Sequence, residues 1–313
     1  MIVRMYQVRR AARSLLVPIR THSYHVWVWG EPSASLPPLV MVHGWMDVGA
    51  SYQFVVDALS DAFAQGRQII APDWRGYGLT TGPKTDNYWF ADYLADLDFL
   101  LDHFAGDRPI DLVGHSMGGN VVMHYGAVRP QRIRRLVNIE GFGGPGGQAD
   151  QAPGRYARWI DEIKAFERGE MNLRPYDSAD GVARRLTKTN PRLARDAAGR
   201  DKAQWLATQW ARENAQGQWD ILGDPAHKII FANLTHADEI LAHYRRLTMP
   251  VLAVEASDDP MASWWKGKFT KAEYHERLQL LADCRIAVVE DAGHMLHHDQ
   301  PLALARLLEQ FLA

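Results

Sequence analysis

Ser116 stands in Gly114-His115-Ser116-Met117-Gly118-Gly119, between one apolar run over 110–113 and a second that begins at Val121. A serine hydroxyl is a weak nucleophile at neutral pH. It needs an imidazole within hydrogen-bond reach to take its proton, and a carboxylate behind that imidazole to fix the tautomer and stabilise the cation. A serine on a sharp strand-to-helix turn is placed for this chemistry when glycines beside it let the backbone turn and hold Oγ clear. Such a motif also arises by chance at an appreciable rate, so its partners must carry the assignment. Downstream, Ala256-Ser257-Asp258-Asp259-Pro260 offers a carboxylate and Asp291-Ala292-Gly293-His294 an imidazole. The order serine, acid, histidine is the one that this kind of turn uses, with Asp259 and His294 as acid and base.

The elements that must position these groups are legible as a strand-then-helix rhythm. Residues 25–29 alternate like a strand that ends at Gly30, and the proline-rich stretch 31–38 reads as a turn. Residues 39–42 form a short continuous apolar run, which suits a strand buried on both faces, and deliver His43-Gly44-Trp45-Met46 ahead of a helix over 52–63. Residues 69–71 lead into Asp73-Trp74-Arg75-Gly76-Tyr77-Gly78 and a helix over 88–104, with Leu94, Leu97, Leu101 and Phe104 on one face. The Ser116 strand, a helix over 119–128 and a strand over 133–139 follow. The glycine-rich run 141–147 then breaks the pattern, and the next hundred or so residues read as helical. Regularity resumes with strands over 251–254 and 286–289 and helices over 271–282 and 301–312.

The expected fold class is therefore α/β, a mostly parallel central sheet with helices on both faces. Residues 1–140 and 249–313 would form one core domain, interrupted by a helical cap, or lid, over 141–248. Ligands bind beyond the carboxyl ends of parallel strands, and the loops at His43, Ser116, Asp259 and His294 all fall there.

At these loops the chain resembles the α/β-hydrolase fold superfamily, from about residue 24 to the C-terminus apart from the insertion. His43-Gly44-Trp45 resembles its oxyanion loop, Asp73-Trp74-Arg75-Gly76-Tyr77-Gly78 its D-x-R-G-x-G loop, and Gly114 to Gly119 its nucleophile elbow. Ala292-Gly293-His294 followed by Gln300-Pro301 resembles its histidine loop and last helix. The resemblance implies Ser116 as nucleophile, His294 as base, and the backbone N–H groups of Trp45 and Met117 as oxyanion-hole donors. The family pattern G-x-x-D falls on 256–259, with Ala256 in place of glycine, and favours Asp259; a shift to Asp258 is one alternative. Glu140 is another, because it follows the preceding strand, where haloalkane dehalogenases carry their acid. Ser116 in place of aspartate argues against dehalogenase or epoxide-hydrolase chemistry.

The function so implied is a serine hydrolase, carboxylesterase-like and cofactor-independent, cleaving an ester or related acyl bond of a small, largely apolar substrate through an acyl-enzyme. C–C bond hydrolysis or perhydrolysis on the same triad, or ligand binding with little turnover, are the alternatives. Tyr156, Trp159, Phe166, Trp205, Trp210 and Trp219 in the insertion, with Trp264 and Trp265 beyond it, offer apolar wall for a pocket and equally well the core of a cap.

Composition narrows the partners. A net charge of −2, with 47% hydrophobic and 23% charged residues and no basic stripe with interleaved aromatics, gives no drive toward nucleic acid and leaves a small-molecule partner. Oligomeric state is open. Cys284 is the single cysteine, so neither an intramolecular disulfide nor a cysteine zinc site can form, as suits a reducing compartment. No H-E-x-x-H, no paired His/Asp spacing on a helix and no phosphate-binding glycine fingerprint accompany the motifs, so neither a metal nor a nucleotide cofactor is expected. No apolar run approaches the ~20 residues of a membrane span, and no signal-peptide core is present, which points to the cytoplasm. Arg4, Arg9, Arg10, Arg13 and Arg20 precede the first acid, Glu31, a bias shared with transit peptides, yet 14–20 and 24–29 suit two early strands. Of the other polar groups, His43, His115, Asp73 and Arg75 are expected to hold loops, and His297 and His298 to be solvated or to neighbour the site.

Overall fold

The computed structural model describes residues 5–313, so Arg4 of the arginine-rich start lies outside the described residues. Two strands, β1 (Arg13–Ile19) and β2 (His22–Trp29), pair as an antiparallel hairpin. β3 (Leu39–Val42), β4 (Ile69–Pro72), β5 (Ile110–His115) and β6 (Ile133–Ile139) follow. β7 (Ala211–Glu213) and β8 (Trp219–Ile221) make a separate small hairpin, and β9 (Val251–Ala256) and β10 (Cys284–Val289) complete the set. The large sheet has the order β1-β2-β4-β3-β5-β6-β9-β10. From β4 to β10 every pairing is parallel, whereas β2 runs antiparallel to both of its neighbours, β1 and β4.

Alternate residues along these strands feed two cores, which is why the strand sequences are continuously apolar. Val40, Val42, Leu112 and Leu136 join one core, while Leu39, Met41, Val113 and Val137 join the other. On the first face lie α3 (Phe90–Ala105), α4 (Met117–Val128), α8 (Ala237–Tyr244) and α10 (Lys271–Leu278). On the second lie α1 (Gln53–Ala58) and α12 (Pro301–Leu312), with α2 (Asp61–Ala64) beside α1 and α11 (Leu296–Asp299) leading into α12. The remaining helices are α5 (Ala152–Glu167), α6 (Ala179–Thr189), α7 (Ala197–Trp210) and the short α9 (Met261–Trp265).

The stretch between β6 and β9 is not purely helical. β7 and β8 are three residues each, too short to leave a period in the sequence, and they pair as Ala211 with Ile221 and Glu213 with Trp219. Within the same stretch α8 packs onto α4 and places Ile240 and Tyr244 in the core beneath the sheet. The chain thus rejoins the helical layer of the core at Ala237, ahead of the strand at Val251.

The early arginines have partners in the fold. The Asp57 carboxylate accepts from the Tyr6 hydroxyl and from the backbone N–H groups of Arg9 and Arg10, and both guanidinium groups pair with Asp61. No helix among the described residues is long and apolar enough to cross a membrane.

Candidate active site

β5 runs into Ser116, and α4 starts one residue later. Ser116 itself carries the strain, with φ 54° and ψ −113°. Neither Gly114 nor Gly118 adopts a positive φ. Their role is close approach: a β-carbon at Gly114 would run into the Gly118 carbonyl, and one at Gly118 into the Val42 and His43 carbonyls. The Ser116 N–H donates to the Ile139 carbonyl at 2.8 Å, which ties the turn to the end of β6.

Glu140 follows immediately, also in the left-handed region at φ 55°. Its N–H donates to the Val254 carbonyl at 3.0 Å, and its Oε1 accepts from the Ala256 N–H at 2.8 Å. Those two bonds to β9 aim Oε2 at His294, whose Nδ1–H donates to it at 3.1 Å. With Nδ1 protonated, Nε2 is free to accept the Ser116 hydroxyl at 2.9 Å. The Glu140 side chain is fully buried and that of His294 is 23% exposed. The His115 Nε2–H donates to the His294 carbonyl at 2.7 Å, and the Trp264 ring stands edge-on to the imidazole at 4.6 Å.

The structure thus brings Ser116, His294 and Glu140 into one hydrogen-bonded chain, and the two aspartates favoured or weighed by motif lie elsewhere. Asp259, the acid that the family pattern favours, uses Oδ1 to accept from the Met261 N–H at 2.9 Å, at the start of α9. Asp258 faces outward to Arg192, which donates to it through two nitrogens at 2.7 and 3.0 Å and holds its carboxyl below the usual carboxylate range. The reason is geometric. β6 and β9 are neighbours that end at the same edge of the sheet, so a carboxylate after either strand can reach the histidine loop, and here the longer side chain on β6 does so.

Trp45 and Met117 both line the cavity in front of Ser116. Among the described residues neither backbone N–H has a protein acceptor, and Met46, at φ 54°, turns the chain just after Trp45. Around them, Asp73 accepts from the Gly49 and Leu79 N–H groups and from His25, and Arg75 makes two bonds to Asp96 at 2.6 and 2.7 Å. His43 Nε2 accepts from the Trp74 N–H at 2.9 Å, and burial holds its pKa below the ordinary histidine value. These three residues, and His115 through its bond to the His294 carbonyl, fasten loops, as their motif positions suggest. His297 and His298 are not solvated: they are 0% and 2% exposed and lie behind His115.

The cavity measures about 900 Å³. That is ample for a drug-sized ligand. Trp45, Trp89, Phe142, Tyr156, Trp264 and Trp265 supply aromatic wall. Trp205, Trp210 and Trp219 instead pack with α6, α7 and Phe54, and Trp159 and Phe166 pack around Tyr88, Ala226 and Ile229. Among the described residues no lysine or arginine lines the cavity, and Glu239 is its one carboxylate besides Glu140.

A family model described as alpha/beta hydrolase fold matches residues 37–301. The chain belongs to the α/β-hydrolase fold family. It is similar to a serine hydrolase-like protein of Danio rerio, 26% identical over 97% of this chain and 90% of that protein. It is also similar to the sn-1-specific diacylglycerol lipase ABHD11 of Danio rerio, 25% identical over 88% of this chain and 78% of that one. Among solved structures, the thioesterase domain from the curacin biosynthetic pathway superposes with a TM-score of 0.78 at 20% identity, covering 95% of this chain and 99% of that domain. That last likeness is one of fold.

Proposed function

We propose that the protein is a serine hydrolase that cleaves an ester of a neutral, largely apolar substrate through an acyl-enzyme. The observation that carries this is the continuous chain from Ser116 Oγ through His294 to Glu140, opening on an aromatic cavity. Ser116 Oγ adds to the ester carbonyl as its proton passes to His294 Nε2. The tetrahedral oxyanion is received by the N–H groups of Trp45 and Met117, donors that need no reorganisation. Collapse expels the alcohol, which takes the proton from His294. Water, deprotonated by the same imidazole, then attacks the acyl carbonyl and returns Ser116 with release of the acid. Glu140, bonded to Nδ1–H, orients the ring and stabilises the imidazolium.

The substrate reading rests on charge as well as shape. A carboxylate or phosphate on the substrate would enter a cavity with two glutamates and no fixed cation to receive it. A neutral ester meets no such cost. The diacylglycerol lipase relative, whose name denotes action on a neutral ester, is in keeping with this. A fluorophosphonate probe that phosphonylates wild type but not Ser116→Ala, together with turnover of neutral medium-chain esters, is the expected result. Absence of labelling and of hydrolysis across all chain lengths would refute it.

A further inference from the structure

Behind the catalytic histidine lies a second group of imidazoles that the proposed reaction does not use. Asp47, two residues past Trp45, meets His297 and His298, which follow His294 on α11. All three are buried, at 3%, 0% and 2% exposure. Asp47 Oδ1 accepts from the Val48 N–H and the Ser51 hydroxyl, while Oδ2 faces His297 Nε2 at 3.5 Å, within ion-pair distance but long for a hydrogen bond. Among the described residues those two atoms have only each other at that distance, and His297 Nδ1 and His298 Nε2, also buried, have no hydrogen-bond partner. Buried polar atoms are nearly always well partnered, so this many poorly satisfied ones in one place call for a guest.

We propose that Asp47, His297 and His298 form a binding site for a divalent transition metal of the zinc class, fastening the loop that carries Trp45 to the helix that follows His294. One donor atom from each residue lies within 4.8 Å of the other two. Two imidazoles and one carboxylate without a thiolate suit Zn²⁺, Co²⁺ or Ni²⁺, whereas Ca²⁺ and Mg²⁺ require a shell made mostly of oxygen. Bonds of about 2.0–2.1 Å would draw the three donors inward by roughly 1 Å, with a water completing four-coordination. The bonds to Asp47 Oδ1 already fix the carboxylate in the orientation that a ligand needs. Three other groups border the site: Tyr52, with its ring 5.5 Å from that of His297; His115, 4.4 Å from it; and Lys202, which donates to the His298 carbonyl at 3.0 Å. Lys202 is the one fixed cation of these and opposes the metal. The helical spacings that signal zinc in a sequence cannot show this group, because Asp47 comes from a loop far upstream.

The test is independent of the catalytic reading. Tag-free protein, stripped with chelator and dialysed, is titrated with Co²⁺ and Zn²⁺. The expected result is one Co²⁺ per chain with the visible bands of a four-coordinate site, and a melting temperature raised by about 3 °C or more in tenfold excess Zn²⁺. Asp47→Asn and His298→Gln lose the bands, whereas His243→Ala, beside His124 on the cavity wall, keeps them. Should either buried variant fail to fold, histidine ring NMR of the wild type still decides, since Zn²⁺ must shift the signals of His297 and His298. No bands and no rise in melting temperature in the wild type, bands that persist in both buried variants, or ring shifts confined to other histidines would each overturn the proposal.

Discussion

At Ser116 the backbone is held at φ 54° by two close approaches, Gly114 against Gly118 and Gly118 against the end of β3. A residue kept in a sparsely populated region marks a place where position matters more than local comfort. Ser116→Ala leaves that backbone intact, so the variant should fold like wild type while turnover of a neutral ester falls by about 10⁴-fold or more. Circular dichroism with initial-rate kinetics checks this, and an active Ser116→Ala would remove serine from the mechanism. Gly118→Ala pushes a methyl into the Val42 and His43 carbonyls and should yield little folded protein, which expression and thermal melts would show. The serine and the histidine of the proposed triad were legible in the sequence because each sits in a short motif with a local steric reason. For the acid the sequence left Asp259, Asp258 and Glu140 open and favoured Asp259. Glu140 has no signature beyond following a strand, and what selects it is the pair of backbone bonds to β9, a contact between distant segments. Asp259 carried the competing local pattern, and the structure uses it at the start of α9.

Among the elements, the segment over the cavity is tied down by His227. Its ring stacks between Tyr77 and Tyr88, with centroids 3.8 and 3.7 Å away, and its Nε2–H donates to the Arg75 carbonyl at 3.1 Å. The Trp45 indole N–H donates to the His227 carbonyl at 3.1 Å, so the loop after β3 is held by the same residue. Burial pushes the His227 pKa down to about 3, and that of His124, beside His243, down to about 4. An unfolded histidine takes a proton near pH 6.5, which both folded sites refuse. Stability from this source is complete above that pH and is lost as pH falls toward 3–4. The urea midpoint should therefore drop between pH 7 and 4, and drop less in His227→Gln; an equal fall in the two would disprove the linkage. By contrast, Arg192 meets Asp258 at a rim where the carboxylate is 54% exposed. Arg192→Gln should cost under about 1 kcal/mol in urea denaturation, and a larger loss would show that this bridge fastens the segment.

Across the whole molecule, the parallel sheet was legible because strands buried on both faces must be continuously apolar, and the strand-then-helix order admits few topologies. The β7–β8 hairpin and the return of α8 to the core were not, since three-residue strands leave no period and an amphipathic helix reads alike over a cap or a core. The tryptophans divide for a similar reason: composition cannot tell a cavity wall from a packed interior, and of Trp159, Trp205, Trp210, Trp219, Trp264 and Trp265 only the last two reach the cavity. The absence of lysine and arginine from that wall among the described residues should appear as selectivity. Placing a carboxylate at the far end of a medium-chain acyl ester should lower kcat/KM by at least about tenfold against the neutral methyl-capped ester, the equivalent of ~1.4 kcal/mol. Equal rates would mean that the acyl chain lies elsewhere. The proposed chemistry turns on which carboxylate backs His294. Parallel measurement of kcat/KM on one neutral ester for Glu140→Gln and Asp259→Asn decides it: a fall of about 10⁴-fold for the first, with the second within about threefold of wild type, is the expected result. The reverse pattern would contradict it.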